Sequence, residues 1–385
     1  MNEVYASLPR TIFDVMSSLA RETGAVNLGQ GFPEADGPRD IIEKAADALL
    51  NGPNQYAPMM GLPALREAVA DHYGRLQNLK LDWRAEVTIT SGATEAIAAS
   101  IFAVLNPGDH VILIEPMYDA YLPLVRRAGA SASFVRLEPP HWRLAEAALR
   151  AACTGKTKAI IVNSPLNPSA SLIAGDDLAS IAKLCVERDL IAICDEVWEH
   201  ITFDGRQHEP LISAPGMRER AIKIGSAGKM FSMTGWKVGF VCAAPPLTEA
   251  IAKAHQFLTF ATAPNLQSAA AYGLAKSDSF FDAMRADFER ARDRLARALA
   301  QEGFAVLPCA GTYFLNVDLG GSGVELSAED FALRAVKEHG VASIPLTPFY
   351  AAPPTSQLVR LCFAKSDETL DRGVERISAA RRALI

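Results

Sequence analysis

The chain has 385 residues, of which 49% are hydrophobic and 21% charged, so it can form one large domain and a smaller one with packed cores. The net charge of −6, with no basic tail or stripe, argues against nucleic acid or an anionic membrane as a partner. No apolar run approaches the roughly 18 residues of a transmembrane helix. The N-terminus lacks the apolar core of a secretory signal, and the six cysteines and seven histidines show no metal-ligand spacing. We therefore expect a cytoplasmic protein without a metal.

The predicted elements divide the chain into three parts. Residues 1–40 hold a short apolar strand and the Gly/Pro-dense loop VNLGQGFPEADGP. Helical spacing follows from Ile41, and Pro63 opens a second helix. From about Val87, short apolar strands alternate with helices, which indicates a mostly parallel sheet covered on both faces. After about residue 280 a long charged helix leads into an α+β pattern. We expect a large domain at 41–280 and a small domain at 281–385, which residues 1–40 join.

Lys229 is the first candidate for chemistry. It follows the small residues Ser226, Ala227 and Gly228, which allow a sharp turn and the close approach of another group. A lysine amine held in such a pocket can form a Schiff base with a carbonyl. The alternative is an ordinary lysine in a polar loop. A phosphate-binding Walker A motif is excluded, because Lys223 stands where that motif needs its first glycine.

Two small-residue or amide-rich turns follow predicted strands. The turn SGATE at 91–95 comes after the strand VTIT and opens a helix, where unpaired N–H groups and the helix dipole suit a phosphate. An ordinary capped turn is the alternative. The turn NSPLNPS at 163–169 lies at the carboxyl edge of the sheet, where α/β folds bind ligands. For Asn163 a rigid turn explains the residue as well as a ligand does, whereas for Asn167 we favour a ligand.

Two charged residues belong to apolar strands. Asp195 ends the strand LIAIC, where a partly desolvated carboxylate needs a cationic partner such as a protonated pyridine nitrogen. Capping of a following helix is the alternative, and it fits Glu196 better. Arg360 lies within LVRLCF and needs a planar anion, either a substrate carboxylate or a structural salt bridge.

Six motifs in order carry a resemblance that runs nearly end to end. They are SGATEA, NQYAPMMGLPALREA, NSPLNPS, CDEVWEH, SAGKMFSMTGWKVG and VRLCFAK. Together they resemble the class I/II aminotransferases, which are fold-type I enzymes that use pyridoxal 5′-phosphate (PLP). LGQGFP, NQYAP and AHQFLTF are similar to the kynurenine/glutamine transaminases and bacterial methionine aminotransferases. The resemblance implies an α/β fold whose large domain has a mostly parallel seven-stranded sheet.

The resemblance also implies roles for individual residues. Lys229 would bind PLP and shuttle the substrate proton, and Asp195 would keep the pyridine nitrogen protonated. The other implied cofactor contacts are Asn167 and Trp198 at O3′, Tyr118 on the ring, Ala93, Thr94, Ser226 and Lys237 at the phosphate, and Tyr56 reaching the phosphate across a homodimer interface. The implied substrate contacts are Arg360, Gly31 and Asn167 at the α-carboxylate, with Phe13 and, across the interface, Phe260 at the side chain.

The sequence departs from the family pattern at several positions. Trp198 replaces a tyrosine that tunes the pKa of the Schiff base, and an indole N–H can donate but cannot ionise. We expect a shifted pKa of the Schiff base or a slower exchange. Ala170 replaces the usual glycine after NP, beside Leu166 and Ser171, so either the loop re-forms locally or access narrows. Lys237 stands where many members have arginine, and a point charge can still hold a phosphate.

The expected reaction is transfer of an amino group from an apolar, sulfur-containing or aromatic L-amino acid to a 2-oxo acid. One alternative is a PLP-dependent β-lyase acting on cysteine S-conjugates or cystathionine, because the same lysine serves both reactions. An aspartate-type aminotransferase is less favoured, since we see no second arginine placed for a distal carboxylate. A non-catalytic transcription regulator would need a basic helix-turn-helix segment. A nicotinamide enzyme would need GxGxxG after the first strand.

Overall fold

The computed structural model describes residues 1–385. Its α-helices are Glu3–Ala6 (α1), Ile12–Thr23 (α2), Arg39–Asn51 (α3), Pro63–Gln77 (α4), Trp83–Glu86 (α5), Gly92–Val104 (α6), Tyr121–Arg127 (α7), Glu146–Ala151 (α8), Gly175–Arg188 (α9), Ala227–Met230 (α10), Pro245–Leu258 (α11), Pro264–Leu274 (α12), Asp278–Gln301 (α13), Ala328–Glu338 (α14) and Asp367–Leu384 (α15). Its strands are Val26–Asn27 (β1), Val87–Thr90 (β2), His110–Glu115 (β3), Ser131–Arg136 (β4), Thr157–Asn163 (β5), Ile191–Asp195 (β6), Ala221–Ser226 (β7), Gly239–Cys242 (β8), Ala305–Val306 (β9), Phe314–Asp318 (β10), Val341–Ala342 (β11), Ile344–Pro345 (β12) and Leu358–Cys362 (β13).

The largest sheet has seven strands in the order β2-β8-β7-β6-β5-β3-β4. The pairs β3–β4, β3–β5, β5–β6 and β6–β7 are parallel, and β8 runs antiparallel to both of its neighbours, β2 and β7. Every residue of β3 is buried, because helices cover both faces of the sheet. Side chains alternate between the two faces, so Ile112 and Ile114 join one hydrophobic core while Val111 and Leu113 join the other. The expected α/β fold with a mostly parallel seven-stranded sheet is confirmed.

The C-terminal part forms smaller sheets. One has four strands in the order β12-β13-β10-β9, all antiparallel, and another pairs β1 with β11. Val26 lies opposite Val341, so the N-terminal segment does return to the C-terminal part of the chain. The domain bounds at residues 40 and 280 stay predictions. None of the helices combines the length and the apolar character that crossing a bilayer requires.

A buried ionic cluster lies under β6 and β7. The amine of Lys223 has no exposed surface and donates to Glu196 at 2.5 Å and to Glu199 at 2.6 Å. Glu196 also contacts Nε2 of His208 at 3.0 Å and accepts the N–H of Leu211 at 3.1 Å. The interpretation of Glu196 as the cap of a helix directly after β6 is wrong, because the chain forms turns there and no helix begins before Leu211. The Lys223 ammonium group lies between the two carboxylates and balances their charge.

Candidate active site

The predicted residues converge on one cavity of about 280 Å³ at the carboxyl ends of the parallel strands. Loops that follow β2, β5, β6 and β7 line it, because parallel strands end at the same edge of a sheet. The predicted residues among its walls are Gly31, Ala93, Thr94, Tyr118, Asn167, Asp195, Trp198, Ser226, Lys229 and Lys237. Six segments distant in sequence, including those around Gly31 and Tyr118, thus line a single pocket.

Lys229 lies in the single-turn helix α10. The hydroxyl of Ser226 caps this turn by accepting the backbone N–H of Lys229 at 3.4 Å. The Lys229 amine donates to the Tyr313 hydroxyl at 3.0 Å and lies 4.5 Å from the centre of the Trp198 ring. Loss of hydration lowers the pKa of Lys229 to about 8, although Cys362 and Asp195 act in the opposite direction. A substantial fraction of the amine is therefore neutral and nucleophilic near neutral pH.

Asp195 ends β6 at the base of the cavity and is only 5% exposed. One carboxylate oxygen accepts the Tyr121 hydroxyl at 2.5 Å, whereas the other, Oδ1, has no partner. Burial raises the pKa of Asp195, while Tyr121, the N–H of Val197 and the Lys229 amine favour its charged form. An unpaired carboxylate oxygen at the wall of a polar cavity is suited to a cationic N–H.

The start of α6 forms an anion-binding wall. Ser91 precedes the helix without a side-chain cap, and Gly92 has a φ of +77°, so the first N–H groups remain open. A side chain at Gly239 of β8 would place its Cβ 2.7 Å from the Ala93 nitrogen, so only glycine lets the strand approach. The amine of Lys237 lies beside Gly92, 3.2 Å from where a Cβ would be. A helix N-terminus with an adjacent ammonium group fits a phosphate.

Arg360 stands in the middle of β13 and is 1% exposed. It donates from Nη1 to Oδ1 of Asn167 at 2.6 Å and from Nη2 to the Gly29 carbonyl at 3.4 Å, and its Nε has no partner. Its guanidinium lies 3.8 Å from the Phe314 ring centre and 5.2 Å from that of Phe13. Burial lowers the pKa of Arg360 to about 10. The alternative that Arg360 forms a structural salt bridge is wrong, because no carboxylate pairs with this arginine.

The departures from the family pattern are accommodated without closing the cavity. Trp198 is 3% exposed and meets the Tyr313 ring edge-on, with ring centres 4.3 Å apart. Ala170 has a φ of +61°, its N–H donates to the Leu166 carbonyl at 2.8 Å, and its own carbonyl accepts the Ala310 N–H at 2.8 Å. The loop therefore re-forms locally around an alanine in a left-handed conformation.

Four predicted residues lie outside the walls of the cavity. Arg360 contacts the wall residue Asn167. Phe13 does not line the cavity, but its ring packs against the guanidinium of Arg360. Tyr56 is 86% exposed and Phe260 is 40% exposed, and their rings meet edge-on at 5.4 Å on the surface. A single chain therefore does not bring Tyr56 or Phe260 to its own cavity.

Two contributors were missed from the sequence. Tyr121 donates to Asp195, and Tyr313 contacts Lys229. Tyr121 begins α7 and Tyr313 immediately precedes β10, and neither belongs to a motif that marked the site in the sequence.

For Asn163 the structure favours the rigid turn over the ligand. Its amide donates to the Asp195 carbonyl at 2.7 Å and accepts the Asn167 N–H at 2.9 Å, so it fixes the loop.

The family model for aminotransferases of class I and II matches residues 23–377. The chain belongs to this family, and it is a PLP-dependent aminotransferase. It is similar to a methionine aminotransferase of Escherichia coli, at 41% identity over 96% of both chains. It is also similar to a probable N-succinyldiaminopimelate aminotransferase of Mycobacterium tuberculosis, at 43% identity over 96% of this chain and 95% of the relative.

A solved structure supports the same relationship. The crystal structure of an Escherichia coli protein with a methionine aminotransferase function has a TM-score of 0.95 and 40% identity, with 98% of this chain and 99% of that chain covered. The chemical groups that the cavity offers match those of PLP. It offers a lysine amine, an unpaired buried carboxylate oxygen and an open helix N-terminus with a neighbouring ammonium group.

Proposed function

We propose that this enzyme transfers the amino group of an apolar, sulfur-containing or aromatic L-amino acid to a 2-oxo acid in a ping-pong reaction. The observation that carries the proposal is that a lysine with a lowered pKa and an unpaired carboxylate oxygen line one cavity, and that a buried arginine without a carboxylate partner contacts the cavity wall at Asn167. The similarity to proteins named for methionine aminotransferase activity supports the substrate class.

In this proposal the cofactor is held at three places. Asp195 would meet the ring nitrogen with its free Oδ1, while Tyr121 holds the other oxygen in place. Tyr118 would stack on the ring, and Trp198 and the amide of Asn167 would contact O3′. Ala93, Thr94, Ser226 and Lys237 would bind the phosphate, which the open N-terminus of α6 supports. When bound, PLP supplies an electron sink that stabilises negative charge at the substrate Cα.

Lys229 is the proposed proton carrier. Its amine, with a pKa of about 8, would take the proton from the substrate Cα and hold it for the return transfer. The walls of the cavity, with Trp198 nearly buried, keep bulk water from this amine. Burial thus keeps a fraction of the Lys229 amines neutral, which the proposed proton transfer requires.

Arg360 is the proposed anchor of the substrate α-carboxylate. Its guanidinium is already fixed by Asn167 and by the Gly29 carbonyl, and its Nε is free to donate. A side chain at Gly31 would collide with Phe314, at 2.8 Å, so glycine keeps the approach to Arg360 open. Phe13, which lies over the arginine, is the proposed contact for an apolar substrate side chain.

The other candidate reactions are less favoured. No arginine lines the cavity itself. Arg136, which ends the edge strand β4, contacts Glu115 at 3.5 Å and donates to the Ala352 carbonyl at 2.7 Å. A substrate with a distal carboxylate, such as aspartate or N-succinyldiaminopimelate, therefore lacks a free cation. The β-lyase reaction would use the same Lys229, and the matched family and relatives are aminotransferases.

We further propose a cytoplasmic homodimer in which Tyr56 and Phe260 complete the site of the opposite subunit. The exposed apolar side chains near them support this assembly, since Phe257 is 86% exposed and Leu50 is 81% exposed. A large domain at 41–280 and a small domain at 281–385 are part of the same proposal. The free state of all six cysteines is consistent with a reducing compartment.

The test follows the absorption of the purified, PLP-loaded protein. We expect L-methionine alone to convert the cofactor to its aminated form, and a 2-oxo acid to restore the original spectrum. A Lys229→Ala variant should not complete this cycle. Turnover of N-succinyldiaminopimelate above that of methionine would overturn the substrate class, and release of pyruvate from a cysteine S-conjugate without an acceptor would establish the lyase instead.

A further inference from the structure

The Tyr313 hydroxyl lies between the lysine and the N-terminal segment. Tyr313 immediately precedes β10 and has no exposed surface. Its ring is held edge-on by Trp198 at 4.3 Å and by Phe314 at 5.0 Å. Its backbone carbonyl accepts the Phe363 N–H at 3.0 Å, which ties it to the end of β13. The hydroxyl therefore has a fixed position.

The two hydrogen bonds of this hydroxyl have a defined direction. The Gly31 carbonyl can only accept, so the single proton of Tyr313 goes to it, at 2.7 Å. The same oxygen must then accept from the Lys229 amine, at 3.0 Å. Burial raises the pKa of Tyr313 well above its ordinary value, so the proton stays on the hydroxyl. The lysine thereby donates one N–H to Tyr313. When its amine is neutral, the lone pair takes no part in this hydrogen bond.

We propose that Tyr313 is a positioning residue for Lys229, whose hydroxyl, oriented by the Gly31 carbonyl, holds the lysine amine in the cavity whenever that amine is free. This role rests on the proposed function, in which Lys229 carries the substrate proton. It also places a tyrosine hydroxyl next to the lysine in a site where residue 198 is a tryptophan. The hydroxyl acts through Lys229 and does not itself exchange a proton with the substrate.

The proposal makes a prediction about the lysine in the absence of cofactor. A hydrogen-bond acceptor favours the charged amine, so Tyr313→Phe should lower the pKa of Lys229 further, by roughly half a unit to one unit. The measurement is the pH dependence of Lys229 labelling by trinitrobenzenesulfonate in the full-length apoprotein, read by peptide mass. Tyr73→Phe is the matched control, because Tyr73 is equally buried but its hydroxyl donates to Glu199 at 2.7 Å. Its labelling profile should equal that of the unmodified protein.

The loaded enzyme gives a second readout. Tyr313→Phe should lower kcat for L-methionine about tenfold, the effect of one lost hydrogen bond at a reacting group, with KM within about twofold. The thermal transitions of both variants show whether each is folded. If Lys229→Ala is inactive but Tyr313→Phe matches Tyr73→Phe in labelling and in kcat, the positioning role is overturned. If Lys229→Ala keeps full activity, the proposed function itself fails.

Discussion

At the scale of single residues, the pocket depends on charges removed from water. The Lys229 amine has a pKa of about 8 because it is buried, whereas an exposed lysine titrates near 10.5. Arg360 is buried without a carboxylate, and Asp195 keeps one oxygen unpaired. Each of these groups is costly to bury. In the proposed function, Asp195 and Arg360 would each meet a group of opposite charge, whereas Lys229 would react with the PLP carbonyl.

The lowered pKa of Lys229 predicts the pH dependence of cofactor binding. Only the neutral amine reacts with the PLP carbonyl, so the rate of PLP incorporation into apoprotein should rise about tenfold per pH unit below 8. It should level off above about 8, where the amine is mostly neutral. Stopped-flow absorbance at constant PLP measures this rate. A midpoint near that of an exposed lysine would contradict the assignment of the buried amine.

Arg360→Lys tests the carboxylate anchor. A lysine keeps the charge but loses the planar pair of N–H donors, so kcat/KM for L-methionine should fall about a hundredfold. Inhibition by 4-(methylthio)butanoate, which has the carboxylate but no amine, should weaken to a similar extent. Inhibition by an uncharged analogue, methionol, should change less than about threefold. Equal loss for both inhibitors would indicate a general distortion of the pocket.

Much of the site could be predicted from residue positions, and the rest required side-chain geometry. Asp195, Asn167 and Lys229 follow strands of a parallel sheet, and such strand ends meet at one edge. The contacts of Tyr121 and Tyr313 depend on rotamers and on neighbouring rings, which spacing does not encode. The φ of Ala170 was also beyond prediction, because alanine seldom adopts the left-handed region.

At the scale of elements, the loop after β5 tolerates its alanine under strain. Ala170→Gly should relieve a left-handed φ worth about 1–2 kcal/mol while losing a buried methyl worth roughly 0.8 kcal/mol. The net change in unfolding free energy should lie within about 1 kcal/mol of zero. Ala332→Gly, in α14 with no exposed surface, is the control and should cost about 1–2 kcal/mol. Urea unfolding gives both values, and an equal loss in both would show that Ala170 is not strained.

The buried cluster under β6 and β7 is expected to be essential for stability. Lys223→Met would leave Glu196 and Glu199 without their shared ammonium group and should cost about 3–5 kcal/mol. Lys253→Met removes an exposed partner of Glu249 and should cost less than about 1 kcal/mol. Chemical unfolding followed by circular dichroism measures the difference. A small effect of Lys223→Met would mean that the carboxylates are protonated in the folded chain.

At the scale of the whole molecule, the surface position of Tyr56 predicts a shared site. In the proposed dimer, Lys229→Ala and Tyr56→Ala chains form mixed dimers in which one of two sites has both natural residues. Random mixing should therefore restore about a quarter of the activity of the unmodified enzyme, although each variant alone is nearly inactive. Activity is measured after dissociation and reassociation of equal amounts, with light scattering to confirm the dimer. No recovery from confirmed mixed dimers would place Tyr56 outside the opposite site.

The helix α2 lies apart from the seven-stranded sheet and contacts α14, β11 and β12 instead. It brings Phe13 to Arg360, whereas the groups of the same chain proposed to hold the cofactor come from loops of the large sheet. In the proposed function, substrate preference and reaction chemistry would therefore depend on different parts of the chain. Replacements in α2 would then change the preferred substrate while the cofactor site stays the same.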